Sequence, residues 1–142
     1  MAETRSVTST PEETQESGRQ LGSRLRAKGS GATVCLTGDL GAGKTVFVKG
    51  IASAFGVSPR DVGSASFVLV AEYETKPPFV HIDLYRIESS AALDELGIWE
   101  YIGNETMTVI EWAERLDERP DGSISVRIDE LSETEREIVI TE

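Results

Sequence analysis

The sequence is poor in cysteine, histidine and basic residues. Its 142 residues include one cysteine and one histidine, and 14 Lys and Arg stand against 25 Asp and Glu, a formal net charge of −11. A single cysteine, Cys35, excludes an internal disulfide, and its place in an apolar run indicates a reduced, buried thiol. An acidic surface repels phosphodiester backbones, so the charge disfavours broad nucleic-acid binding.

Long hydrophobic runs are also missing. No stretch approaches the length of a transmembrane helix, and residues 1–13 lack the apolar middle region of a secretion signal. We therefore expect a cytoplasmic protein that makes no membrane contact. With 39% hydrophobic residues there is enough apolar material for a core, and the length predicts one domain over residues 1–142.

The hydrophobic pattern predicts alternating helices and strands. Capping residues and helical periodicity predict helices from Thr10 to about Lys28, from Lys44 to Phe55, and from Ser89 or Ser90 toward Tyr101. Short apolar or alternating runs predict strands near residues 32–37, 67–73, 79–84, 107–110, 124–128 and 138–140. This order predicts an α/β fold with a mixed central sheet, flanked by helices and ending in an antiparallel edge.

The turn after the first predicted strand carries the most specific motif. Gly38-Asp39-Leu40-Gly41-Ala42-Gly43-Lys44-Thr45 fits G-x-x-x-x-G-K-[ST] at every fixed position. Its glycines allow backbone N–H groups to point at phosphate oxygens, and the following helix adds its positive N-terminal end. Lys44 would reach the β- and γ-phosphates, and the Thr45 hydroxyl would bind a Mg²⁺ ion that bridges them. The motif predicts a nucleotide-binding loop.

Two carboxylates are candidates for the acidic site that nucleotide hydrolysis also needs. Asp83 and Glu111 each end an apolar strand, and the carboxyl ends of parallel strands border the ligand crevice. For either acid alone, a solvated strand end is the alternative interpretation. His81 shares a strand face with Asp83; we interpret it as a hydrogen-bonded packing residue, because phosphoryl transfer to water depends more on positioning than on a strong base.

Other phosphate-loop proteins have signatures that this sequence lacks. The guanine reader N-K-x-D is absent, since Asn104 is the only asparagine and Glu105 follows it. A D-x-x-G match at Asp94-Glu95-Leu96-Gly97 lies within a helical pattern instead of following a strand. A metabolite kinase usually carries an arginine-bearing lid, whereas the arginines here are scattered; it remains one alternative.

Five segments, in their order and spacing, resemble one family over residues 33–112. They are the phosphate loop, Ser64-Ala65-Ser66-Phe67, His81-Ile82-Asp83-Leu84-Tyr85-Arg86, Glu95-Leu96-Gly97-Ile98 and Val109-Ile110-Glu111-Trp112. On these segments the chain resembles the bacterial TsaE family (formerly YjeE), the small ATPase of tRNA threonylcarbamoyladenosine biosynthesis.

The resemblance implies a single P-loop NTPase-like domain that hydrolyses ATP slowly and depends on partners. It implies a nucleotide-binding set of Leu40, Gly41, Ala42, Gly43, Lys44, Thr45 and Val46. It also implies that Thr45 and Glu111 bind Mg²⁺, and that Lys44 and Asp83 are catalytic, with Asp83 acting on the attacking water or in the second shell of the metal. Ser64, Ser66 and Phe67 would belong to a switch loop that senses the nucleotide and the partner.

The implied partners are a TsaD-like threonylcarbamoyl transferase and a TsaB-like scaffold, which modify the adenosine next to the anticodon of tRNA. Because the chain is acidic, we expect these partners to hold most of the tRNA. The family usually has Ser-Pro-Thr in the switch loop, whereas Ala65 and Ser66 stand here, so the hydroxyl is kept and the backbone is freed. The adenine pocket would be flanked by residues 8–11, where no motif identifies the contacts.

One further alternative stays open at this level. The chain could be a nucleotide-gated assembly module, in which binding switches a partner and hydrolysis is dispensable.

Overall fold

The computed structural model describes residues 2–39, 41–63, 70–103 and 105–142. Within these ranges it has three α-helices: α1 (Pro11–Ala27), α2 (Lys44–Ala54) and α3 (Ser90–Leu96). Its strands are β1 (Glu3–Thr8), β2 (Ala32–Thr37), β3 (Val70–Tyr73), β4 (Phe79–Asp83), β5 (Met107–Glu111), β6 (Ile124–Glu130) and β7 (Arg136–Thr141). Short 3₁₀ helices lie at Pro59–Asp61, Ile98–Tyr101 and Ala113–Arg115. None of the described helices is long and apolar enough to span a membrane.

The strands form one mixed sheet in the order β1-β7-β6-β2-β5-β4-β3. Strands β6, β2, β5 and β4 run parallel to one another, while β3, β7 and β1 are each antiparallel to the neighbour nearer the centre. The predicted α/β fold with a mixed sheet and an antiparallel edge is confirmed.

The antiparallel edge contains one strand more than the sequence predicted. The predicted order of elements began with a helix, but the chain begins with β1, which pairs with β7 from Glu3–Thr141 to Thr8–Arg136. Five of the six residues of β1 are exposed, and only Thr8 is buried. The strand therefore lacks the apolar alternation that would predict it, and backbone hydrogen bonds to β7 hold it in place.

Two other predicted elements have different bounds. The helix expected to run toward Tyr101 is divided, because α3 ends at Leu96, Gly97 caps it in a left-handed conformation (φ 62°), and a 3₁₀ helix follows. The strand expected at residues 67–73 falls partly outside the described residues, and its described part is β3.

Helices cover the sheet unequally. The face with α1 and α2 buries residues from β2, β4, β5, β6 and β7, among them Leu36 and Val126. On the opposite face, α3 and two 3₁₀ helices pack against a smaller cluster that includes Cys35 and Ile110. Strands β2, β4 and β5 are thus buried on both faces, whereas β6 and β7 are covered on one and β1 is exposed except at Thr8. The Cys35 thiol is buried as predicted, and desolvation raises its pKa.

Helices α1 and α2 approach each other closely. A Cβ atom added at Gly50 would lie 1.9 Å from the Gln15 carbonyl oxygen, and one at Gly18 would lie 2.2 Å from the Phe47 carbonyl oxygen. Only glycine fits at such a crossing, so the two backbones are in direct contact. The contact fixes the start of α1 beside the start of α2.

The start of α1 is a well-formed cap. Thr10 Oγ1 accepts a hydrogen bond from the Glu13 N–H at 3.1 Å, and the Ser9 N–H donates to Glu13 Oε1 at 2.7 Å. The hydroxyls of Thr8 and Thr14 share a buried hydrogen bond of 2.7 Å. These bonds fix the turn between β1 and α1.

Candidate functional site

The phosphate-loop motif lies between the end of β2 and the start of α2. Gly43 caps α2 in a left-handed conformation (φ 98°), which a residue with a side chain adopts only with strain. Helix α2 begins at Lys44, so its first N–H groups face the loop. The geometry suits an anion at this helix terminus. Of the predicted nucleotide-binding residues, Leu40 lies outside the described residues.

The Lys44 side chain turns back over the loop. Its Nζ donates hydrogen bonds to the carbonyl oxygens of Gly38 and, at 3.1 Å, Asp39, and it lies 3.7 Å from the centre of the Trp112 ring. Burial lowers the pKa of the Lys44 ammonium, and the carboxylates of Glu114 and Glu111 oppose that shift. The structure thus collects one buried cation and several carboxylates at the loop.

Thr45 and Glu111, which the resemblance implies as ligands of one metal ion, lie side by side. Thr45 Oγ1 is 3.2 Å from Glu111 Oε1 and 3.5 Å from Glu111 Oε2. Glu111 is 2% exposed at the end of β5, and its neighbour in the parallel register is Asp83 at the end of β4. Both predicted acids therefore point to the loop from adjacent strands.

Asp83 has its own polar partner. Asp83 Oδ1 accepts a hydrogen bond from the Tyr85 N–H at 2.9 Å, and the residue is 8% exposed. Burial raises the pKa of the Asp83 carboxyl; the nearby charge of Glu111 adds to the rise, and the Tyr85 N–H opposes it. A carboxyl with a raised pKa beside a phosphate site is a candidate proton acceptor.

His81 contacts the site directly, a contact that the sequence did not predict. His81 Nε2 lies 2.5 Å from Glu111 Oε2, and both side chains are 3% exposed. The interpretation of His81 as a hydrogen-bonded packing residue agrees with its burial. Its partner could be found only once β4 and β5 were known to be parallel neighbours.

The segment after β5 also contributes to the site. Trp112 has φ 58°, the single positive value among the described residues other than glycine, and this conformation turns the chain back toward the loop. Two residues later, Glu114 Oε2 accepts a hydrogen bond of 3.4 Å from the Gly38 N–H. A backbone conformation of this kind has no sequence signal, so sequence analysis missed the contact between Glu114 and Gly38.

A cavity of about 350 Å³ opens beside the loop. One wall is the capped turn before α1, one is the phosphate loop, and one is the turn between β6 and β7. Its lining residues are Ser9, Thr10, Pro11, Glu12, Thr14, Gly41, Gly43, Val46, Glu133, Thr134 and Arg136. Arg136 donates to the carbonyl oxygens of Ser132 (2.9 Å) and Glu135 (3.0 Å), which holds the third wall in shape. Of the expected flank at residues 8–11, Ser9, Thr10 and Pro11 line this cavity, while the third wall has no sequence signal.

The donor set at Thr45 and Glu111 fits a Mg²⁺ ion. A hydroxyl and a carboxylate are the hard oxygen ligands that Mg²⁺ prefers, and phosphate oxygens and water usually complete its shell. No cluster of three or more His, Cys, Asp or Glu suited to a metal occurs in the described parts of the chain, so an ion here would need such outside ligands. The predicted switch residues Ser64, Ser66 and Phe67 lie outside the described residues, and their role stays a prediction.

Comparisons with known proteins place the chain among relatives of one kind. The family model described as "Threonylcarbamoyl adenosine biosynthesis protein TsaE" matches residues 8–138. The tRNA threonylcarbamoyladenosine biosynthesis protein TsaE of Aquifex aeolicus is 44% identical over 115 residues, which cover 80% of this chain and 78% of that protein. The protein of the same name from Treponema pallidum is 33% identical over 137 residues, 96% of this chain and 98% of that protein.

A solved structure agrees with this similarity. The crystal structure of YdiB from Bacillus subtilis superposes with a TM-score of 0.71 at 31% identity, covering 98% of this chain and 84% of that chain. The match confirms the predicted P-loop NTPase-like fold.

Proposed function

Because this chain belongs to the TsaE family and has its role in tRNA threonylcarbamoyladenosine biosynthesis, we propose that it binds ATP with Mg²⁺ and hydrolyses it slowly. The observation that carries the proposal is the meeting of Thr45 and Glu111, 3.2 Å apart, beside a phosphate loop. Hydrolysis would support a TsaD-like threonylcarbamoyl transferase with a TsaB-like scaffold. These partners would modify the adenosine next to the anticodon in the cytoplasm.

The phosphates would bind at residues 40–46. The N–H groups at the start of α2 would donate to phosphate oxygens, and Lys44 would leave the carbonyl oxygens of Gly38 and Asp39 to contact the β- and γ-phosphates. Lys44 is buried, and this burial strengthens its attraction to the phosphates, because a buried charge is screened little by water. Lys44 would thus stabilise the charge that develops during phosphoryl transfer.

Thr45 and Glu111 would hold the Mg²⁺ ion. Bound there, Mg²⁺ would neutralise phosphate charge and orient the γ-phosphoryl group. Glu111 would keep its carboxylate at the Thr45 hydroxyl, which supports a ligand pair of fixed shape.

Asp83 would position the attacking water. Its Oδ1 is held by the Tyr85 N–H, and its Oδ2 would accept a hydrogen bond from water. The raised pKa of the carboxyl supports a proton-accepting role near neutral pH. This role, like that of Lys44, requires contact with the reacting groups.

The cavity beside the loop would take the nucleoside. Its walls include apolar atoms of Pro11 and Val46, against which a base can pack, and Gly41 and Gly43 connect it to the phosphate site. The switch loop at residues 64–67 would respond to the nucleotide and to the partner. At a net charge of −11, the tRNA would be held mainly by the partners.

The test is Mg²⁺-dependent ATP hydrolysis by the purified chain, alone and with the TsaD and TsaB proteins of the same organism. We expect the partners to stimulate hydrolysis, and Lys44→Ala to lower the stimulated rate about 100-fold or more. Lys49→Ala, a half-buried lysine of the same helix, is the matched control and should retain the rate within about twofold.

Two other outcomes of this test would lead to a different functional assignment. Tight ATP binding without hydrolysis in either condition would indicate a nucleotide-gated assembly module. Rapid transfer of phosphate to a small metabolite by the isolated chain would contradict the proposal and indicate a kinase.

A further inference from the structure

In the proposed binding of ATP, the contact between His81 and Glu111 has no assigned role. Both side chains are 3% exposed, and His81 Nε2 lies 2.5 Å from Glu111 Oε2. We assign Nε2 as the donor in this contact, because a carboxylate oxygen accepts hydrogen bonds. That N–H is engaged with Glu111 and is not available to a water molecule at the phosphate site. His81 therefore acts on Glu111 and not on the substrate.

The sheet register explains why these two side chains meet. Asp83 pairs with Glu111 and His81 pairs with Val109 across the parallel strands β4 and β5. Side chains two residues apart share a strand face, so His81, Asp83 and Glu111 all point to the side covered by α2. His81 lies two residues before Asp83 on β4, further from the carboxyl ends of the strands, and its side chain extends toward Glu111 on β5.

The two oxygen atoms of Glu111 are divided between two partners. His81 holds Oε2, while Thr45 Oγ1 is nearer to Oε1, at 3.2 Å. A glutamate side chain has several rotatable bonds, and the nearby charge of Asp83 repels it. The donor at His81 therefore selects the conformation that keeps Oε1 at the Thr45 hydroxyl.

We propose that His81 is a positioning residue that fixes the Glu111 carboxylate for the metal ion. The inference rests on the proposed function, because it assigns Glu111 to Mg²⁺. Hydrogen-bond partners behind a metal ligand commonly change metal affinity about 10–100-fold when they are removed. The effect belongs to the N–H group at the position of Nε2, and it can be separated from the packing of the ring.

The variants for the test are His81→Gln and His81→Asn. Glutamine places an amide N–H near the position of Nε2, whereas the shorter asparagine reaches only the position of Nδ1. Thr108→Val is the matched control. Thr108 is a fully buried polar residue of β5 whose hydroxyl donates to the Tyr101 carbonyl oxygen at 2.7 Å, on the face opposite Glu111.

The measurement is the binding of a fluorescent, non-hydrolysable ATP analogue as Mg²⁺ is titrated, with a melting temperature for every variant. We expect His81→Asn to raise the half-saturating Mg²⁺ concentration about 10–100-fold. Affinity for the analogue without Mg²⁺ should stay within about twofold, because His81 is hydrogen-bonded to Glu111 and to none of the described residues 41–46. His81→Gln should return the Mg²⁺ curve to within about threefold of wild type.

Thr108→Val should lower the melting temperature and leave the Mg²⁺ curve unchanged. A His81→Asn protein whose melting temperature falls while its Mg²⁺ curve matches wild type would overturn the inference. If the asparagine variant does not fold, a folded His81→Gln protein with a shift of tenfold or more would overturn it equally. Failure of the wild-type chain to bind the analogue at any Mg²⁺ concentration would instead overturn the proposed function.

Discussion

Two groups of strands in the same sheet differ in where they place charged side chains: one group buries them and the other exposes them. The inner strands, β2, β5 and β4, are covered on both faces, and β4 and β5 bury every residue they contain, including His81, Asp83 and Glu111. The outer strands β6 and β7 expose one face, and β1 is exposed on both. Their charged side chains pair there at the surface, Arg5 with Glu137 at 3.6 Å and Arg127 with Asp129 at 2.9 Å.

The difference separates charges that serve solubility from charges that serve chemistry. An exposed ion pair is screened by water and contributes little to stability. A buried ionisable group destabilises the fold unless partners compensate it, so its presence points to a function. The inner strands concentrate their buried charges at the carboxyl ends that face the phosphate loop.

The largest expected effect comes from removing one carboxylate charge in each group. Glu111→Gln should lower Mg²⁺-dependent ATP hydrolysis about 100-fold or more, because the amide is a poor ligand for Mg²⁺. Glu137→Gln, on β7, should leave the rate within about twofold. Steady-state phosphate release with the partner proteins measures both. Equal losses in the two variants would remove the distinction between the strand groups.

A second substitution tests the close contact between α1 and α2, the helices that cover one face of the sheet. Gly50→Ala would place a Cβ atom 1.9 Å from the Gln15 carbonyl oxygen, so α1 and α2 must separate. We expect the free energy of unfolding to fall by about 3 kcal/mol, measured by urea denaturation. Gly103→Ala meets no atom within 4 Å and should change it by less than about 0.5 kcal/mol. A tolerated alanine at position 50 would show that the helices can shift without strain.

The third prediction concerns pH. The folded protein holds the Asp83 proton to a higher pH than the unfolded chain does, because burial raises the pKa of the carboxyl. Stability is therefore lost as pH rises through the interval between the ordinary pKa of an aspartate and the raised one, and the loss persists at neutral pH. Asp83→Asn should raise the melting temperature at pH 7.5 by about 2–5 °C and should have no such effect below both pKa values.

Asp129→Asn is the control for that experiment. Asp129 pairs with Arg127 on the open face of β6, so its replacement should move the melting temperature by less than about 2 °C at either pH. A stabilisation by Asp83→Asn that is the same at all pH values would mean that burial of the charge is not its cause.

The smallest effect is expected at the edge of the sheet. Arg5→Gln removes the partner of Glu3 (3.5 Å) and Glu137 (3.6 Å), all exposed or half-buried. The free energy of unfolding should change by less than about 0.5 kcal/mol, and less still in 1 M salt. A larger loss of stability would mean that surface ion pairs, and not the backbone hydrogen bonds to β7, keep β1 in the sheet.

Sequence analysis succeeded where a pattern is local. The phosphate loop, the buried strands and the acids at the ends of β4 and β5 each have a signal within about ten residues. The register of β4 and β5 then brings Asp83 and Glu111 together. It failed where the deciding contact is distant. Strand β1 is polar and is held by β7, more than 100 positions along the chain, and the third wall of the cavity is formed by the turn before Arg136.

The missed details of the site have a similar cause. His81 was recognised as a packing residue, but its partner lies 30 residues away on another strand. The conformation of Trp112, at φ 58°, follows from how the chain leaves β5 and leaves no trace in residue type.

Because Lys44 lies over the Trp112 ring, the fluorescence of Trp112 can report on the position of the Lys44 side chain. The chain has two tryptophans, and Trp99 is 47% exposed while Trp112 lies 3.7 Å from the ammonium group. Indole emission responds to a cation over the ring, so departure of Lys44 toward a phosphate would change the intensity of Trp112. With Trp99 replaced by phenylalanine, the remaining emission would follow nucleotide arrival in real time without a dye attached to ligand or protein.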